Sequence, residues 1–180
     1  YFWRVRANSP CGDSGWSSTF SFTTGVTFPE PYCEWDVTND IEPITLVNYA
    51  GINNRTSAAV NGSPAHEDFT AIIGNVAPGS TSSMAVEGNT AGDFNTLVTA
   101  FIDWNRDGDF SDANETYQIG NIDNSTGNDG QQAVANIAVP AGVTNGPTRL
   151  RVVKEYNTAA GPGNTDGYGQ AEGYTLGVGT

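Results

Sequence analysis

The stretch with the most chemical potential is "DWNRDGDFSDANE", residues 103–115. Asp103, Asn105 and Asp107 alternate, so an extended or winding backbone throws their side chains to one side. Gly108 permits the sharp turn that brings Asp109, Ser111, Asp112 and Glu115 back around the same point. Oxygen donors crowded in this way repel one another unless a divalent cation sits among them, and Ca2+ tolerates roughly six to eight irregularly placed oxygens. The spacing is close to the D-x-[DN]-x-[DN]-G calcium loop. It departs at the position where the helix-loop-helix version carries Glu and this chain has Asn114, so Asp112 or Glu115 must take that place. The expected Ca2+ ligands are Asp103, Asn105, Asp107, Asp109, Asp112 and Glu115, with Asp109 offering either its carbonyl or its carboxylate. Zinc would want His or Cys in the loop, and neither is there. Trp104 and Arg106 fill the alternate positions and project the other way. Either they pack into a core and offset local charge, or they stack on a sugar and hold an anionic group.

A second group of residues suits ligand contact. Arg149, Arg151 and Lys154 concentrate basic charge near Tyr156 in an otherwise acidic chain. Arg149 and Arg151 share one strand face, while Lys154 falls on the other. Trp35, Trp104, Tyr117, Tyr156, Tyr168 and Tyr174 offer rings that can stack on pyranoses. Together they fit a polysaccharide partner, including a sulfated or uronic one. The alternative is that the arginines pair with neighbouring acids and the tyrosines serve the core. A calcium-stiffened spacer, or an adhesin domain meeting a cell-surface protein, is the other function these residues allow. Catalytic patterns are weak. His66 is the only histidine, and "HEDFT" lacks the second histidine of H-E-x-x-H. There is no G-x-S-x-G elbow. A glycosidase pair needs an acid of raised pKa in an apolar cleft opposite its partner, which a glycine-bent ladder of acids does not resemble. The chain reads as non-enzymatic.

These residues must be positioned by strands. The 180 residues include 22 Gly and 9 Pro, with only 15% charged, a composition that suits short strands and many turns. "PITLVNYAGI" (43–52), "EDFTAIIG" (67–74), "SSMAVEG" (82–88) and "NTLVTAFID" (95–103) are strand candidates. So are "TYQIGNI" (116–122), "QQAVANIAVP" (131–140), "TRLRVVKEY" (148–156) and "GYTLGVG" (173–179). Turn-formers such as "VNGSP", "APGS" and "STGNDG" separate them, and no helical periodicity intervenes. The expected fold is all-β: an antiparallel sandwich, jelly-roll-like or Ig-like, with the acidic loop between strands. Residues 1–24 read as a separate hairpin, 25–32 as a proline-bearing linker, and 33–180 as the sandwich. The net charge of −13 argues against nucleic acid and anionic membrane surfaces. No apolar run reaches the roughly 18–20 residues needed to span a bilayer. No signal-like segment opens the sequence, which is expected to be a monomeric module of a longer chain. Cys11 and Cys33 either form a bridge or stand as independent thiols.

Two resemblances sharpen this. "YFWRVRA", "GWSS" and "FSFTT" resemble the last two strands of a fibronectin type III domain. From about Tyr32 to Thr180, "PYCEW", "YAGINNRTS", "VNGSPAHEDFT", "AFIDWNRDGDFSDANE", "IAVPAG", "TRLRVVKEYN" and "GYGQAEGYTL" resemble the GEVED domain, a β-sandwich module. The resemblance implies a non-catalytic accessory part of a large secreted or surface protein of Bacteroidetes-like bacteria. Gly173 stands where that family's signature has Asp. The family's second cysteine before the final motif is missing, which leaves Cys11 as the candidate partner of Cys33.

Overall fold

Alternation of apolar and polar residues favours extended chain, and the computed structural model describes residues 2–6, 8–9, 12–21, 32–163 and 165–179 with no helix among them. The chain divides into two compact units, Tyr1–Glu30 and Pro31–Thr180. In the first, β1 (Phe2–Trp3) pairs antiparallel with β4 (Phe20–Ser21), and β2 (Asn8–Ser9) with β3 (Gly12–Asp13). Val5 and Ser17 are joined by two bonds: the Ser17 amide to the Val5 carbonyl at 2.8 Å, and the Val5 amide to Ser17 Oγ at 3.1 Å. Arg4 and Arg6 lie over the Trp16 ring at 4.5 and 4.9 Å. Residues 22–31, which hold all but the last residue of the expected linker at 25–32, and Cys11 lie outside the described residues.

The second unit holds β5 (Asp36–Val37), β6 (Ile44–Tyr49), β7 (Ile52–Arg55), β8 (His66–Val76), β9 (Thr81–Gly88), β10 (Asn95–Ile102), β11 (Thr116–Asp123), β12 (Ala133–Ala138), β13 (Gly146–Tyr156), β14 (Thr165–Asp166) and β15 (Gly169–Val178). A five-stranded sheet runs β11-β10-β13-β15-β8, and a four-stranded sheet runs β12-β9-β6-β7. Packed face to face, they make a β-sandwich. All pairs within these sheets are antiparallel except β15 with β8, which is parallel. No short turn joins those two strands, so hairpin geometry does not dictate their direction. The segment 43–52, which reads as one strand, instead turns over at Ala50 and Gly51 (φ 53° and 94°) into the β6–β7 hairpin. Two successive positive φ values are what a tight hairpin with native strand twist requires.

Period two sorts the side chains into layers. Val98, Ala100 and Ile102 of β10, Leu150 and Val152 of β13, and Tyr174, Leu176 and Val178 of β15 face the four-stranded sheet, meeting Ile44, Val47, Met84, Val86 and Ile137. On the outer face of the five-stranded sheet, Phe101, Val153 and Ala171 meet Trp35, Phe110 and Ala160 in a smaller cluster. Every one of these side chains is nearly inaccessible, and burial of this kind stabilises by about 1.5–3 kcal/mol per large apolar residue.

Candidate functional site

The acidic stretch is the connection between β10 and β11. Its side-chain oxygens accept amides two residues on: the Asp107 amide donates to Asn105 Oδ1 (3.0 Å), the Asp109 amide to Asp107 Oδ1 (3.2 Å), and the Ser111 amide to Asp109 Oδ1 (2.7 Å). These repeated turns wind the loop, aided by positive φ at Arg106 (64°) and Gly108 (95°). The winding gathers Asp107, Asp109 and Asp112, each offering one carboxylate oxygen within 4.8 Å of the others. All three are exposed. Carboxylate oxygens this close together could hold one metal ion among them, with solvent free to complete its shell. Asn105 Nδ2 reaches two of the same carboxylates, at 2.9 Å from Asp107 Oδ2 and 2.6 Å from Asp112 Oδ2. That bond holds the Asp107 carboxyl below its ordinary value.

The other two expected ligands are turned elsewhere. Asp103 is fully buried; its Oδ1 accepts the Arg106 amide (2.5 Å), and its Oδ2 accepts the Gly108 amide (3.1 Å) and the Tyr32 hydroxyl (2.6 Å). Glu115 is also buried and accepts the amides of Trp104 (2.7 Å), Asn105 (3.4 Å) and Asp112 (3.4 Å). Burial pushes its carboxyl above the ordinary value, against the pull of those amides. These two acids brace the loop from its two ends, while the exposed three form its mouth.

Trp104 and Arg106 do project away from the acids. Trp104 is 5% exposed within the main core, its Nε1 donating to the Tyr117 hydroxyl at 2.9 Å. Arg106 clamps the turn before β13: Nη1 reaches Thr144 Oγ1 and the Asn145 carbonyl, both at 3.1 Å, and Nη2 the carbonyls of Thr144 (2.5 Å) and Gly146 (3.0 Å). Both residues therefore tie the loop to the sandwich.

The basic group is largely internal. Arg151 is 2% exposed, donates to the Pro162 carbonyl, and lies 5.4 Å from the Phe110 ring and 3.7 Å from Cys33 Sγ. Lys154 is wholly buried on the opposite face, its Nζ 3.2 Å from Glu42 Oε2. Burial lowers its pKa to about 8 despite that partner. Arg149 is half-buried over the Tyr32 ring at 5.2 Å, at the wall of an open hollow also lined by Arg106, Thr148 and Thr175. Gly173 lies beside it: a β-carbon there would sit 3.7 Å from Arg149 Nη1 and 3.8 Å from His66 Nε2. His66 itself is 9% exposed, and burial with Arg151 nearby pushes its pKa down to about 3. It stays neutral across the physiological range.

Tyr156 and Tyr168 are the expected contact residues that remain accessible, at 38% and 36%. They join Phe94, which is 48% exposed, around an open cleft of about 340 Å³ also lined by Ala91, Asp40 and Glu42. The Tyr156 ring meets Phe94 edge-on (5.6 Å, 90°) and Tyr168 nearly so (5.9 Å, 76°). The Tyr156 amide donates to the Tyr168 carbonyl at 3.1 Å, fixing the two backbones together. Phe94, Asp40 and Glu42 escape a reading of the sequence. Phe94 sits in the β9–β10 turn, and the two acids lie before β6, far from Tyr156 along the chain. No curated protein matches this chain. The stretch from within β10 to near the end of β15, which carries the acidic loop, matches the model of the GEVED domain over residues 97–177.

Proposed function

We propose that the chain is a calcium-stiffened, non-catalytic accessory module of a secreted bacterial protein, and that it binds polysaccharide through the Phe94–Tyr156–Tyr168 cleft. On this reading the GEVED-like unit runs from about Tyr32 to Thr180 behind the tail of a fibronectin type III domain. The observation that carries the reading is the cleft: three accessible rings from separate segments converge there, while Trp35, Trp104 and Tyr174 are spent in the interior. Aromatic side chains with one apolar face and an open side are suited to sugar rings. The calcium part rests on the three converging carboxylates and the purely oxygen donor set. With Lys154 and Arg151 buried, the basic charge that favoured a sulfated or uronic polymer is absent from this cleft.

Affinity electrophoresis through gels containing neutral, uronic and amino polysaccharides tests the binding. Retardation by at least one polymer is expected, lost in Tyr156→Ala. A spacer or adhesin domain is the second reading, favoured by the Arg106 clamp and the buried braces that make the loop a structural tie. It replaces the first if no polymer retards the protein while Ca2+ still raises the melting temperature. Calcium linkage is worth about 2.7 kcal/mol when the ion exceeds its dissociation constant a hundredfold. A chelator that leaves the melting temperature unchanged sinks the calcium assignment.

A further inference from the structure

The cleft has a shape and a charge that narrow its ligand. Phe94 and Tyr168 each stand nearly perpendicular to the Tyr156 ring and so form corners with it, whereas a flat platform for several sugars would need rings closer to coplanar. In a corner, one ring face can take a pyranose while the neighbouring ring faces a substituent of that sugar. Ring faces carry negative quadrupole density and attract cations within about 6 Å. Charge at the rim has the same sign. Glu42 lies against Lys154 Nζ, so those two charges cancel. Asp40 remains exposed, its Oδ1 positioned by Asn61 Nδ2 at 2.8 Å. The cleft therefore presents one net negative charge beside three rings, on a chain whose net charge is −13. Its walls are held in place. The Asn39 amide donates to the Gly167 carbonyl at 2.9 Å, the Asn157 amide to the Asn95 carbonyl at 3.0 Å, and the Phe94 amide to the Gly92 carbonyl at 2.9 Å.

We infer that this cleft selects a glycan whose sugars carry protonated amines, a hexosamine polymer. The inference rests on the polysaccharide reading above and adds the charge of the sugar. The ammonium sits between the aromatic corner and Asp40, and the pyranose face packs on a tyrosine. An N-acetyl or hydroxyl group at the same position gains no cation–ring attraction and at most a hydrogen bond from a neutral donor to the carboxylate, the weaker kind.

Three β-1,4-linked trisaccharides of matching backbone decide it: of glucosamine, of N-acetylglucosamine and of glucose. Calorimetric titration at pH 6 and low salt, with amide chemical shifts followed at Tyr156 and Tyr168, should give the glucosamine trimer roughly tenfold tighter binding than the neutral two. Asp40→Asn should bring it down to their level. Glu34→Gln removes one exposed carboxylate outside the cleft and should leave the preference intact, which separates a local site from general attraction to an acidic protein. Equal affinity for all three trimers overturns the amine inference and leaves the polysaccharide reading standing. Binding of none of the three trimers overturns the amine inference; the polysaccharide reading falls with it only if the gels also show no retardation by any polymer. A preference that survives in Asp40→Asn removes Asp40 from the site and overturns the inference as stated.

Discussion

Two kinds of carboxylate share the acidic loop, and they differ in what they face. Asp107, Asp109 and Asp112 face solvent and one another, whereas Asp103 and Glu115 face backbone amides. Substituting one of each kind should separate the roles. Asp107→Ala is expected to abolish the rise in melting temperature on Ca2+ addition and to change little in chelator. Asp103→Ala removes the acceptor of the part-buried Arg106 and Gly108 amides and of the Tyr32 hydroxyl, and should cost about 1–3 kcal/mol with or without calcium. Denaturant melts of both variants in Ca2+ and in chelator check this; a loss at Asp103 seen only with Ca2+ would make it a ligand. The gathering of carboxylates in this one loop was legible in the sequence because it needs only residue spacing. The inward turn of Asp103 and Glu115 was not. It goes with left-handed backbone at Arg106 and Asn114 (φ 64° and 69°), a conformation that asparagine favours but that an arginine does not announce.

Strand β13 shows how an element decides which chemistry reaches water. Parity alone separates Lys154 from Arg149 and Arg151, and the strand keeps that separation. Which face is covered depends on the second sheet, and it is the Lys154 face that is covered. Its stem crosses Gly88 of β9, where a β-carbon would fall 2.5 Å from Lys154 Cδ. Glycine is needed there for room. Lys154 ends against Glu42, a partner distant in sequence and invisible to any local pattern. Truncating one member of such a pair leaves the other charge buried, so Lys154→Met should cost about 3–5 kcal/mol. The double variant Glu42→Gln, Lys154→Met should recover most of that loss. Chemical denaturation of the two variants side by side is the check, and equal stability of single and double would mean the pair is not coupled.

At the scale of the whole sandwich, a second buried polar group, besides the Lys154–Glu42 pair, ties the two sheets together. Gln170 Nε2 donates to Ser63 Oγ (2.7 Å), the Pro64 carbonyl (2.9 Å) and Glu67 Oε2 (3.0 Å), while its Oε1 accepts the Ile44 amide (2.8 Å). Beside it, Tyr174 donates its hydroxyl to Glu172 and accepts from Asn54 Nδ2 at 2.9 Å. Burial raises the Glu172 carboxyl to about 8. An acid held protonated in the folded state binds a proton that the unfolded chain has released, so its contribution is complete below the ordinary carboxyl range and lost as pH rises toward 8. Thermal melts should therefore show the wild type weakening between pH 5 and 8. Glu172→Gln should flatten that slope and gain on the order of 2 kcal/mol at pH 8. A slope unchanged in the variant would assign it to other groups. The strand positions behind this architecture were largely legible, because half-buried strands betray themselves by period two. The parallel β8–β15 pair and the Ala50–Gly51 reversal were not, since one depends on remote pairing and the other on an alanine in a left-handed turn. That parallel pair also sets a clock. The last long strand of the sandwich in chain order, β15, lies between β13 and the edge strand β8. Until it arrives, both neighbours have an open edge and the core lacks a wall. Folding must therefore wait for nearly the whole module to be synthesised, at the slow pace typical of sheets built from distant segments.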